Sequence, residues 1–154
     1  MRVVVAVVGK PRHAGLAAAI DDYEKRAARY WPLEVREVRE EPARSGSADL
    51  VREREAERLV AAIPAGAQVV ACELNGRGMT SAEFASWLQQ QRERARDVVF
   101  LIGGAIGLGE PARSRASMSL ALAPWTLQHE MARLVLAEQL YRAGTIVRGE
   151  PYHK

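Results

Sequence analysis

The chain has 154 residues, which suits a single domain that buries its own core without covalent staples. Apolar residues make up 48%, charged residues 27%, and the net charge is +3; this is the balance of a soluble globular protein and excludes disordered, fibrous and membrane-embedded classes. Cys72 is the single cysteine, which rules out an internal disulfide and a multi-cysteine zinc site and fits a reducing, cytoplasmic setting.

The opening run Val3 to Val8 is β-branched and apolar throughout, as in a central strand buried on both faces. It is too short for a membrane span, and an opening strand explains it better than a signal peptide does. Residues 16–30 follow with helical spacing, placing Leu16, Ile20, Tyr23, Ala27 and Tyr30 on one side, and Trp31-Pro32 stops them. Residues 33–38 alternate with period two, predicting a strand with one wet face. Pro, Gly and Ser mark residues 40–47 as a mobile loop. Residues 49–63 read as a helix laced with Arg and Glu three and four apart.

Residues 67–72 form a third predicted strand, with residues 74–79 as the loop beyond it. Thr80 or Ser81 then caps a helix, and Glu83 is placed for a capping box. Residues 97–102 are a fourth strand, followed by a glycine cluster from Gly103 to Gly109. A short helix from about Pro111, a strand over 118–123, a loop over 124–128 and a helix from His129 to about Thr145 complete the chain. Alternating strands and helices predict one α/β domain over residues 1–154, with a mostly parallel sheet flanked by helices.

Glycines directly after an apolar strand allow backbone N–H groups to approach a ligand. The cluster at Gly103-Gly104 is not a dinucleotide fingerprint, since G-x-G-x-x-G is missing, and not a P-loop, since no Lys-Ser or Lys-Thr follows. By spacing alone it is as well explained as a tight strand-to-helix turn. The last predicted helix is amphipathic, with Leu136 and Leu140 on one face and Glu138 four residues before Arg142. Beyond it stands Arg148-Gly149-Glu150-Pro151-Tyr152-His153-Lys154, an odd composition for a fraying end: a stacking ring, a titratable imidazole and a stiffened backbone. The basic character is carried by Arg, lysines being only Lys10, Lys25 and Lys154. Arg suits phosphate, but codon bias explains it equally well, and Arg12, Arg26 and Arg29 read first as solvated charges.

Taken together, these residues resemble the bacterial ribosomal RNA large-subunit methyltransferase H family of the knotted SPOUT class. The likeness rests on Leu101-Ile102-Gly103-Gly104 with Gly107-Leu108, on Thr126-Leu127 with His129, on Arg133, on the run 138–143, on the run 148–153, and on Val7-Val8-Gly9-Lys10. It implies a C-terminal trefoil knot and a homodimer. It implies transfer of a methyl group from S-adenosylmethionine to N3 of a pseudouridine in 23S ribosomal RNA, on the assembled ribosome, with no metal and no membrane involved.

By position, three loops would hold the cofactor: Cys72 to Leu74, Gly103-Gly104, and Ala123, Pro124, Trp125, Thr126, Leu127 and Gln128. Arg142, Tyr152 and His153 match positions that meet RNA, and His129 matches a histidine beside the cofactor. The family usually has Leu-Pro-His where this chain has Leu127-Gln128-His129, and Ala105-Ile106 and Pro124-Trp125 also depart from it. Two routes serve the N3 proton: His153 or His129 as general base, or Arg142 stabilising charge on the flanking carbonyls. A non-catalytic RNA-binding module and a nucleotide-binding regulator using the Gly103 loop remain alternatives on the residues alone.

Overall fold

The computed structural model describes residues 1–153, the side chain of His153 excepted. Five strands form one all-parallel sheet: β1 (Val3–Val8), β2 (Leu33–Val38), β3 (Gln68–Gly78), β4 (Val98–Ile102) and β5 (Met118–Ala121), in the order β2-β1-β4-β3-β5. Five helices connect and cover them: α1 (Ala14–Ala27), α2 (Ala48–Ala61), α3 (Ser81–Glu93), α4 (Glu110–Arg113) and α5 (His129–Val147). The single α/β domain with a parallel sheet is as expected.

The unbroken valines of β1 are explained by burial on both faces. Val3, Val5 and Val7 point to one side, where Trp31, Phe84, Leu88, Phe100, Leu136 and Leu140 complete a core beneath α1, α3 and α5. Val4, Ala6 and Val8 point to the other, packing with Ala56, Leu59, Leu108 and Ala112 beneath α2 and α4. A strand in the middle of a three-layer sandwich has no wet face, so period two disappears from its sequence.

Several boundaries differ from those expected. α1 begins at Ala14, capped by His13, whose Nδ1 accepts from Leu16 N–H at 3.3 Å. It ends at Ala27, before the 16–30 span is complete; Trp31 is not a surface stop but is buried, and its indole N–H donates to the Leu140 carbonyl at 2.8 Å. α2 occupies 48–61 rather than 49–63, with Ser47 as its N-cap. Residues 40–47 are not a free loop: they hold a 3-10 turn at Ala43–Ser45, and Glu41 accepts from Arg58 and Arg54 of α2. Those two guanidiniums, Arg58 foremost, pull the Glu41 carboxyl down to about 2.

The largest correction is at β3. Residues 74–78 are not a loop beyond the strand but the continuation of β3. Leu120 of β5 pairs with Cys72 and again with Arg77, so the chain bulges outward and rejoins the ladder through Gly78. The polar residues there read as a loop because their partner strand lies far along the sequence. β5 itself stops at Ala121 rather than at residue 123. Thr80 does cap α3, in a complete capping box with Glu83.

α5 lies against α1 and α3. At Gly144 it meets Tyr30, just past α1: an added Cβ would stand 2.3 Å from Tyr30 Cγ and 2.4 Å from Tyr30 Cβ. Ala is ordinarily the better helix former by ~1 kcal/mol. Here overpacking, at ~1–3 kcal/mol, should win. Gly144→Ala is expected to lower the melting temperature by several degrees in a thermal unfolding scan; a neutral or raised Tm would show that Tyr30 gives way freely.

Candidate functional site

Three separate segments meet outside the carboxyl ends of β3, β4 and β5, where open α/β sheets bind ligands. They enclose a cavity of about 610 Å³, within the range for a small-molecule site. Its wall after β4 depends on Gly103. A Cβ there would stand 2.5 Å from the Gly107 carbonyl carbon and 2.6 Å from its oxygen, so the loop closes back only over a glycine. Gly107 donates to the Gly104 carbonyl at 3.0 Å and adopts φ +87°, which completes the turn.

Of the residues singled out in the sequence, Cys72, Leu74, Gly103, Gly104, Ala123, Trp125, Thr126, Leu127, Gln128 and His129 all line this cavity. Pro124 does not. Arg113, Leu122 and Ala132 line it too, and sequence reasoning missed them; Glu73 lines it inside the expected 72–74 stretch, without having been given a role of its own. Glu73 is an ordinary-looking residue at the end of a strand; its role is visible only once Arg113, 40 residues on, bonds to it. Ser119 also donates to Glu73, at 3.3 Å. Burial pushes the Cys72 thiol up to about 12, so it stays protonated and acts as an apolar wall rather than a nucleophile.

Arg142 and Tyr152 stand elsewhere. His129 begins α5 and Arg142 is thirteen residues later, about 20 Å along the helix. There Glu138 Oε1 accepts from Arg142 at 2.6 Å and from the Tyr152 hydroxyl at 2.9 Å. The Arg142 guanidinium lies 4.8 Å from the centre of the Tyr152 ring, and Tyr141 packs on that ring at 4.5 Å. Burial and the Glu138 carboxylate keep the Tyr152 phenol protonated well above its ordinary range. Glu150 accepts from Tyr30, so residues after α5 are fastened at two points. The side chain of His153, and all of Lys154, lie outside the described residues. Within one chain, therefore, the predicted cofactor residues other than Pro124 come together, and Arg142 and Tyr152 form a second group toward the far end of α5.

The family model described as "Predicted SPOUT methyltransferase" matches residues 1–153. A protein of Gemmatimonas aurantiaca named "Ribosomal RNA large subunit methyltransferase H" is 70% identical, the match covering 100% of both chains. One of the same name from Geobacter sp. strain M21 is 44% identical over 99% of both. This chain belongs to the SPOUT methyltransferase family. Among solved structures, a probable methylase family protein from Haemophilus influenzae shares the fold, with a TM-score of 0.59 at 15% identity, covering 99% of this chain and 70% of the other. TrmJ from Z. mobilis gives 0.52 at 18% identity, covering 93% and 70%.

The enzyme is an S-adenosylmethionine-dependent methyltransferase, and its cavity has the chemistry for that cofactor. Leu74, Ile102, Leu122 and Leu127 offer apolar walls to an adenine ring and a methionine chain. Glu73 places a carboxylate on the same wall, its charge balanced by Arg113, which lines the cavity with it. Gly103 lets the loop fold back on Gly107 and so shapes the wall against which a ligand would lie.

Gln128, where the family resemblance implies proline, has a visible task in the methyltransferase. It is the N-cap of α5, and its Oε1 accepts from Glu130 N–H at 3.0 Å and Met131 N–H at 3.1 Å. Proline at that position could not cap in this way. Gln128→Ala should cost ~1 kcal/mol, a fall of ~2–4 °C in Tm, and weaken S-adenosylmethionine binding measured by calorimetry, because the cap also forms the cavity wall. Unchanged Tm would show that the two bonds contribute nothing.

Proposed function

We propose that this enzyme methylates N3 of a pseudouridine in 23S ribosomal RNA, acting on the assembled ribosome as a cytoplasmic homodimer. The observation that carries this reading is full-length identity of 70% to a protein named as a large-subunit ribosomal RNA methyltransferase. A C-terminal trefoil knot belongs to the same reading, supported by kinship to SPOUT proteins and by a cavity drawn from three segments, 72–74, 102–108 and 122–132. The cavity-lining residues named above, with Pro124 beside them, would hold the cofactor. No helix among the described residues is long and apolar enough to cross a membrane.

S-adenosylmethionine, when bound, supplies an electrophilic methyl group and leaves as a neutral thioether, so the step as written calls for no metal ion. The N3 lone pair forms the new N–C bond, and the N3 proton must be given up. His129, on the cavity wall, is one candidate to receive it, and His153 is the other. Arg142 would stabilise negative charge growing on the flanking carbonyl oxygens, held for that purpose by Glu138. Holding the reacting atoms in line is worth ~7–11 kcal/mol of the barrier, more than any one of these groups.

The separation of about 20 Å along α5 between His129 and Arg142 supports a dimer. A second copy laying its Arg142–Tyr152 end over this cavity would complete the pocket. Trp125 is 78% exposed and Leu74 47% exposed at the cavity, apolar surface that such a copy would cover.

In a strain lacking this gene, mass spectrometry of 23S ribosomal RNA should show one methyl group missing from a pseudouridine, restored by the full chain. A chain ending at Gly149 should bind S-adenosylmethionine with near-normal affinity and fail to restore the methyl group. Full methylation by the shortened chain would remove Tyr152 and His153 from the mechanism; an unchanged RNA in the deletion strain would remove the substrate assignment.

A further inference from the structure

Beside the cofactor cavity, a larger cleft of about 1310 Å³ opens outside the carboxyl ends of β1 and β2. Ala105, Gln128 and His129 line both, so the two spaces adjoin. Most of the charges on the cleft are already committed. Glu37 is held by Arg133, Glu40 by Arg12, and Glu41 by Arg54 and Arg58. Glu130 accepts from the Arg12 backbone N–H. Lys10, Arg39 and Arg44 are exposed on the cleft and enter no salt bridge among the described residues.

The floor of the cleft holds the opposite charge, buried. Glu55, from α2, is 5% exposed. One of its carboxylate oxygens accepts from Glu41 N–H at 3.1 Å. The other has no hydrogen-bond partner among the described residues. A Cβ placed on Gly104 would lie 2.9 Å from that same oxygen, so Glu55 stands directly behind the glycine loop of the cofactor cavity. Burial raises its carboxyl pKa, as expected for an acceptor waiting without a donor. Unpaired buried acceptors are rare, and this one lies against Gly104 on the floor of a cleft that Lys10, Arg39 and Arg44 also line.

We propose that the cleft seats a nucleotide adjacent to the methylated one, its phosphate against Lys10, Arg39 and Arg44 and an exocyclic amino group of its base donating to Glu55. Guanidinium and ammonium groups pair with phosphate, while a carboxylate takes an amino donor and rejects a base edge that presents only carbonyls. Glu55 is thus a specificity-determining residue: it favours cytosine, adenine or guanine over uracil, which has no exocyclic amino group. The shared wall at Gln128 and His129 carries one strand from the cleft into the cavity. This rests on the RNA reading above.

The test uses large-subunit particles from the deletion strain as substrate, with wild-type enzyme alongside. Glu55→Gln keeps the carbonyl that accepts from Glu41. It should raise KM for the particles about tenfold with little change in kcat, while S-adenosylmethionine affinity and Tm stay at wild-type values. Arg39→Ala with Arg44→Ala, both at exposed positions, should reduce the slope of log affinity against log salt for RNA binding by about 0.7, one phosphate contact's worth. An unchanged KM in the folded Glu55→Gln enzyme, or an unchanged slope in the double variant, overturns the cleft. Should Glu55→Gln fail to fold, the slope decides alone. No methyl transfer by wild-type enzyme overturns the RNA reading and the cleft together.

Discussion

Arg133 stands one turn inside α5, buried, with its guanidinium spread between Glu24 of α1 at 2.7 Å and Glu37 of β2 at 2.8 Å. Both carboxylates belong to the first quarter of the chain, so this ion triad ties the last helix to the first βαβ unit. Removing one member of a buried charge group leaves the others uncompensated, at ~3–5 kcal/mol. The triad therefore specifies where α5 sits, and everything of functional interest follows from that placement. The start of α5 supplies His129 to the cavity wall. Its far end presents Arg142 and Glu138 to Tyr152.

Apolar packing makes the placement firm. Leu136 and Leu140 fill the space over β1 and β4, and Trp31 bonds the Leu140 carbonyl from below. Gly144 lets Tyr30 come close enough to reach Glu150. A rigid helix of 19 residues then keeps two groups of polar side chains at a set distance. That distance is too long for one chain to close over its own cofactor. In the dimer proposed above, two copies together would bridge that distance and present a composite surface.

The sheet contributes in a different way. Its order reverses beside β1 and β4, which leaves open ground past their carboxyl ends. Ligand spaces form there because the connecting segments diverge to opposite faces. One is walled by glycine loop, β3 bulge and the segment before α5; the other by the ends of β1 and β2 and by α2. They share a wall at Ala105, Gln128 and His129, so the two spaces are contiguous without any domain movement.

Much of this was legible in the residues. Doubly buried strands announce themselves by unbroken Val and Ile, and the capping box at Thr80 and Glu83 is a purely local device. Motif spacing at Gly103-Gly104, at Thr126-Leu127 and at residues 138–143 identified the family and most of the cavity lining, because those contacts are made by short segments. The tertiary structure alone decided what depends on distant pairs. It carried β3 through Gly78, because Leu120 supplies the partner. It paired Glu73 with Arg113, assigned the helix cap to Gln128, and left Glu55 buried with a free oxygen behind Gly104. It also set the two halves of the expected active site at opposite ends of α5. A linear pattern records which face of a helix is apolar; it does not record what stands across from that face, and the chemistry of this enzyme is settled there.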